Sequence, residues 1–153
     1  MAGKIDARIA ELGEVLPEAP APAANYVPFV VTGNLVFVSG QVSMDAAGFV
    51  TGRLGDTMDV AQGAAAAKRC ALSLLAQVKA ACGGDLDRLQ RVVKLTGFVN
   101  SAPGFTDQPR VVNGCSDFLV AVLGDKGRHA RSAVGASLPM GCAVEIEGIF
   151  EIA

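Results

Sequence analysis

The sequence predicts one α+β domain, a mixed β-sheet with two helices packed on one of its faces. Three observations predict it. Apolar and polar residues alternate with a period of two in several short stretches, most clearly at 143–152, whereas residues 57–82 and 111–123 follow the helical period of 3.6. The element order is helix, three strands, helix, strand, helix, two strands, with no internal repeat and no linker. The length of 153 residues is that of a single domain. Area scaling gives a folded surface of roughly 7,200 Å² against about 22,600 Å² unfolded, so about two-thirds of the surface is buried without any staple. The domain spans 1–153, with residues 1–25 as an N-terminal helix and a Pro/Ala-rich arm.

Each element has a local cause. Ile5, Ile9, Leu12 and Leu16 recur on one helical stripe. Residues 17–25, PEAPAPAAN, carry prolines that forbid helix and read as extended. Residues 29–31 and 35–39 flank Thr32-Gly33-Asn34, a hairpin signal, and residues 48–52 read as a third short strand. Val60, Ala64, Ala67, Ala71, Leu74 and Val78 mark one face of a long helix, with Lys68, Gln77 and Lys79 off that stripe. Thr57 or Asp59 caps its start and Gly83-Gly84 ends it. Residues 91–99 are a strand. Val111, Cys115, Phe118 and Val122 share a stripe on a second helix closed by Gly124. Two strands follow at 131–137 and 143–152. In the last, Val144, Ile146, Phe150 and Ile152 face one way and Glu145, Glu147 and Glu151 the other. The second sheet face, with Lys94, Thr96, Glu145 and Glu147, is left for solvent or another subunit.

Composition removes several chemistries. A net charge of −2 argues against nucleic acid or a membrane surface as partner. A single histidine, His129, leaves no multi-histidine metal site and no chemistry needing two imidazoles. Cys70, Cys82, Cys115 and Cys142 are widely spaced with no CxxC pair. The first three fall in apolar helical surroundings and read as core filler. Reduced thiols and a polar N-terminal stretch predict a cytoplasmic protein. Residues 19–44 carry no charge, but Pro20, Pro22, Pro28 and Gly33-Asn34 interrupt them, so they read as strands rather than a membrane span. There is no GxSxG elbow, P-loop or GxGxxG.

Residues at odd places are more informative. Arg131 opens an otherwise uncharged strand and Glu145 lies mid-strand among Val and Ile. A buried charge needs a counter-group, so Arg131 either pairs internally with Glu145 or Glu147 or serves a ligand. Its planar fork suits a carboxylate. His129, in KGRHAR, reads as an exposed or carbonyl-bonded ring in a connection. Asn113 reads as surface or cap, and Ser39 as a strand-end hydroxyl. Composition and spacing alone name no reaction.

The segments VFVSGQVS (36–43), VVKLTGFV (92–99), VVNGCSDFLVAVLG (111–124) and, above all, ARSAVGASLPMGCAVEIEGI (130–149) resemble the RidA (YjgF/YER057c/UK114) family over residues 26–152. The N-terminal helix and arm resemble a longer branch of it. The resemblance implies a chorismate-mutase-like fold, a homotrimer with clefts between subunits, and hydrolysis of enamines and imines such as 2-aminoacrylate to 2-oxo acids and ammonia, without cofactor or metal. Carried over, Arg131 grips the substrate carboxylate and Glu145 positions a water. Tyr26, Ser39, Gly40, Asn113 and the backbone of Ala133 bind substrate. Three positions depart from the family pattern: Ala133 replaces a common Cys, His129 replaces a Pro or Ala, and the stretch from Arg131 to Leu138 is one residue short, which predicts a bulge or register change. Two alternatives belong to other classes. One is a non-catalytic small-carboxylate binder of the same fold. The other is an endoribonuclease using the basic cluster Lys126, Arg128, His129 and Arg131, against which the few aromatics and the negative charge argue.

Overall fold

The computed structural model describes residues 2–153. The elements, in chain order, are α1 (Lys4–Glu11), β1 (Phe29–Thr32), β2 (Leu35–Val42), β3 (Met44–Asp45), β4 (Gly48–Phe49), α2 (Val60–Ala81), β5 (Leu89–Asn100), α3 (Gln108–Leu123), β6 (Ala130–Ala136) and β7 (Val144–Ile152). Strands pair in the order β1-β2-β7-β5-β6. All pairs are antiparallel except β5 with β6, which α3 joins as a parallel crossover. The α+β class and the mixed sheet are as the alternation predicts. No helix among the described residues is long and apolar enough to cross a membrane.

The sheet has one covered face and one open face. Val36 and Val38 on β2, Val144, Ile146 and Phe150 on β7, and Leu95 and Val99 on β5 pack against α2 and α3. The alanine-rich face of α2 lets the helices come close. They touch at Gly114, where a Cβ would collide with the Ala64 carbonyl oxygen. Backbone on both sides leaves little room to relax. Gly114→Ala is therefore expected to destabilise the fold by about 2–3 kcal/mol, which a thermal melt should register as a drop of roughly 5–10 °C. An unchanged midpoint would contradict this packing.

Caps follow the sequence closely. Asp59 starts α2 with a reciprocal capping box: its carboxylate accepts from the Gln62 amide (2.8 Å) and Gln62 Oε1 accepts from the Asp59 amide (2.9 Å). Thr57, the other candidate cap, instead accepts from the Arg53 amide. Gly83 (φ 66°) and Gly124 (φ 64°) end α2 and α3 in the left-handed region.

Three expectations need correcting, and one gains a residue. The predicted third strand at 48–52 shrinks to Gly48–Phe49, paired with Met44–Asp45 in a small separate ribbon. Phe49 instead lines the pocket described below, and Val50 packs against the core. Gln77, read as off the buried stripe of α2, is only 1% exposed. A third helix, α1, and the arm cover that side: Ile9 is buried, Lys79 Nζ meets Asp6 at 3.0 Å, and Lys68 Nζ meets Glu14 at 2.7 Å. The start of α1 is capped from a distance, since Asp87 accepts from the amides of Lys4 and Ile5 (2.9 Å each). These amides hold the Asp87 carboxyl below its usual range. Cys70, Cys82 and Cys115 are buried and free as expected, and Cys142, which the pattern had left unassigned, joins them. Burial pushes the Cys115 thiol up to about 12, so it is no nucleophile. Finally, β6 carries no bulge: it stays in register with β5 from Lys94↔Ala130 to Asn100↔Ala136. The irregularity comes after the strand, at Met140 (φ 55°).

Candidate functional site

The structure gathers the predicted residues into two clusters on opposite sides of the sheet. The first is centred on Arg131. β6 sets Arg131 beside Leu95 and Ala133 beside Gly97, and both neighbours are buried under the helices. Arg131 therefore points toward α3. Its Nη1 donates to Asn113 Oδ1 (2.9 Å) and Ser116 Oγ (3.0 Å), and its Nη2 donates to the Pro109 carbonyl (3.0 Å). Asn113 and Ser116 are three apart and share one face of α3, turned from the buried stripe. These bonds use both Nη1 protons and one Nη2 proton. Nε and the second Nη2 proton carry no bond among the described residues, so two donors remain for a planar anion.

The internal ion pair is thereby ruled out. Arg131 sits opposite Leu95, whereas Glu145 sits opposite Phe98 two strands away. Strand spacing and rise put their backbones roughly 14 Å apart. Their side chains also leave the sheet on opposite faces.

The second cluster is centred on Glu145, on the open face. A bulge decides its form. Between Val38↔Gly148 and Gln41↔Ile146, β2 has two residues, Ser39 and Gly40, against the single Glu147 of β7. Strict alternation would carry Gly40 and Val42 inward after Val36 and Val38. The extra residue reverses the phase: Gln41 and Ser43 are buried, and Gly40 and Val42 turn to Glu145. Gly40 lets the carboxyl lie against the strand: a Cβ there would sit 2.8 Å from Glu145 Oε2, so the Glu145 side chain would have to move. Ser39 does not line the pocket but holds the arm against it. Its hydroxyl donates to the Val27 carbonyl (2.7 Å) and its amide to Pro28 (2.9 Å). Buried Gln77 donates to the Pro20 carbonyl (2.7 Å), fixing the arm's other end.

The result is a pocket of about 290 Å³ with Gly40, Val42 and Glu145 as its floor. Pro20–Ala23 and Tyr26 form one wall, and Phe49, Pro139 and Met140 the other. Tyr26 is bent into place by its hydroxyl, which accepts from the Ala23 amide (3.1 Å). Partial burial pushes the Glu145 carboxyl up, and the neighbouring Glu147 carboxylate adds to this. A half-buried carboxyl that holds its proton more tightly than usual, in an otherwise apolar cleft, has the properties of a general acid/base.

Several contributors were not foreseen. Ser116 was legible as the i+3 neighbour of Asn113, but nothing in the pattern aimed it at Arg131. The arm residues 20–23, Phe49 and Met140 were read as connection or strand. His129 does bond a carbonyl, that of Gly127, and in addition it reaches Ser116.

Residues 6–144 match the family described as "YjgF/chorismate_mutase-like, putative endoribonuclease". The chain belongs to this YjgF (RidA) family. It is 50% identical over 153 residues to Protein TCP17 of Trypanosoma cruzi, covering 98% of this chain and 95% of that one. It is 31% identical over 139 residues to the 2-iminobutanoate/2-iminopropanoate deaminase of Dermatophagoides farinae, covering 89% and 92% of the two chains. The crystal structure of protein Atu1372 of Agrobacterium tumefaciens, of unknown function, superposes with a TM-score of 0.91 at 51% identity, covering 98% of this chain and 93% of that one. The fold of this YjgF-family chain is thus shared along its whole length, N-terminal helix and arm included.

Proposed function

We propose that the protein hydrolyses reactive enamines and imines of 2-amino acids to the 2-oxo acid and ammonia, in a cleft completed by a second copy of the chain within a trimer. One observation carries the reading. Arg131 keeps two donors free for a carboxylate, and Glu145 offers a poised carboxyl in an apolar pocket, yet they lie on opposite faces of the same sheet. Each is half of one site. Placing Arg131 of one protomer beside Glu145 of the next completes it. The helix-free face supports such contact, since it exposes Val30 (53%), Phe37 (41%) and Val134 (46%). The name of the mite relative, a 2-iminobutanoate/2-iminopropanoate deaminase, points to the same chemistry.

The residues account for each step. Arg131 binds the imino acid carboxylate through Nε and Nη2. Glu145 takes a proton from a water as its oxygen bonds to the imine carbon. It returns that proton to the nitrogen, giving the carbinolamine, then moves the carbinolamine hydroxyl proton to the nitrogen as the C–N bond breaks and the C=O bond forms. Imine and water become 2-oxo acid and ammonia, and Glu145 ends as it began. Positioning suffices, because the uncatalysed hydrolysis is already rapid.

A trapping assay tests this. A dehydratase generates 2-aminoacrylate in the presence of semicarbazide, and the protein should lower the semicarbazone formed in proportion to its concentration. Unchanged trapping across imines from several amino acids would remove the enzyme reading. If 2-oxobutyrate still stabilised the protein thermally, the carboxylate-binder reading would replace it.

A further inference from the structure

The bonds around His129 run in one direction. Nδ1 lies 2.6 Å from the Gly127 carbonyl, which only accepts, so Nδ1 carries the ring proton. In the neutral ring Nε2 is then an acceptor, and the Ser116 hydroxyl stands 2.8 Å away. Ser116 has one proton to give, and giving it to Nε2 turns its lone pairs to Arg131 Nη1 at 3.0 Å. The chain reads Arg131 to Ser116 to His129 to Gly127. Its far end is rigid: Gly127 is buried in the tight turn Gly124–Gly127, where a Cβ would lie 2.5 Å from the Leu119 carbonyl oxygen. Burial, with the Arg131 charge adding to it, lowers the affinity of the ring for a second proton, while the Gly127 bond opposes this.

We propose that His129 is a positioning residue for the deaminase site: through Ser116 it fixes the Arg131 guanidinium so that its Nε–Nη2 donors face the substrate carboxylate. This rests on the proposed deaminase reading. Neither His129 nor Ser116 touches substrate. A loosened Arg131 weakens carboxylate binding in ground and transition states alike, so the effect falls on KM.

Imine hydrolysis by His129→Ala and by Ser116→Ala should show a KM raised roughly 10-fold at unchanged kcat. In His129→Gln the amide donates to Gly127 and its oxygen accepts from Ser116, so this variant should restore KM. An unchanged KM in the alanine variants overturns the proposal, as does a loss confined to kcat. So does a His129→Gln protein that keeps the wild-type melting midpoint but not the wild-type KM. Guanidinium ¹⁵N spectra separate this from failure of the deaminase reading. If wild-type protein neither turns over imines nor binds 2-oxobutyrate, the deaminase reading falls. The tether then stands if the Arg131 nitrogen signals, distinct in wild type, exchange faster in His129→Ala, where Asn113 and Pro109 still hold the guanidinium, and is overturned if they do not change.

Discussion

Arg131→Ala is expected to lower kcat/KM for imine hydrolysis by about 100- to 1,000-fold, since two charge-assisted bonds to the substrate carboxylate are lost together. Thermal stabilisation by 2-oxobutyrate should vanish in parallel. Arg131→Lys should not rescue either property: a single ammonium cannot serve Asn113, Ser116 and Pro109 and still offer two coplanar donors. Folding should survive, because the guanidinium is only partly buried and the groups it leaves lie near solvent. Steady-state kinetics beside a melting curve check both halves. Wild-type kcat/KM in a folded Arg131→Ala protein would remove Arg131 from the site.

Glu145→Gln is expected to cut kcat by about 100- to 10,000-fold with little change in KM, the range for losing a general acid/base. The same change should leave the protein at least as stable at neutral pH. The native carboxyl is held above its ordinary value of 4.5 by burial first and by Glu147 second. The native state thus binds this proton more tightly than the unfolded chain does. Ionising Glu145 costs native stability, and the cost grows as pH rises through the interval from 4.5 to the raised native value. Below that interval both states are protonated and the cost is absent. Glu145→Gln removes the charge and its repulsion with Glu147. Its melting midpoint should therefore equal or exceed that of wild type at pH 7, with the gap closing on acidification. A variant less stable at pH 7 than at pH 4, relative to wild type, would contradict the electrostatics assigned to Glu145.

Much of this was legible in the residues. The alternation in 143–152 already placed Glu145 on the face opposite Val144 and Ile146. Thr57 or Asp59 marked the start of α2, which Asp59 in fact caps, and Gly83-Gly84 its end. The bulge at Ser39-Gly40 was not legible: VFVSGQVS alternates in sequence, and only pairing with β7 reveals two residues set against Glu147. That bulge turns Gly40 to Glu145 and buries Gln41. Gln77 was misread for a related reason, since a helix has a polar side only where nothing packs on it. Here α1 and the arm pack on α2, held by Lys79 with Asp6 and Lys68 with Glu14.

The sequence by itself determined the period of most segments and roughly where the helices start and stop, and so the face on which residues such as Glu145 stand, the bulged stretch of β2 excepted. Those are local properties, set by backbone geometry and nearest neighbours. Tertiary structure alone decided that β5 lies between Arg131 and Glu145, that the arm walls the pocket, and that His129 reaches Arg131 through Ser116. These depend on which distant strands pair, which local periodicity does not encode. The separation of Arg131 from Glu145 is the clearest case: each stood out in the sequence as a candidate, and only the strand order shows that one chain cannot bring them together.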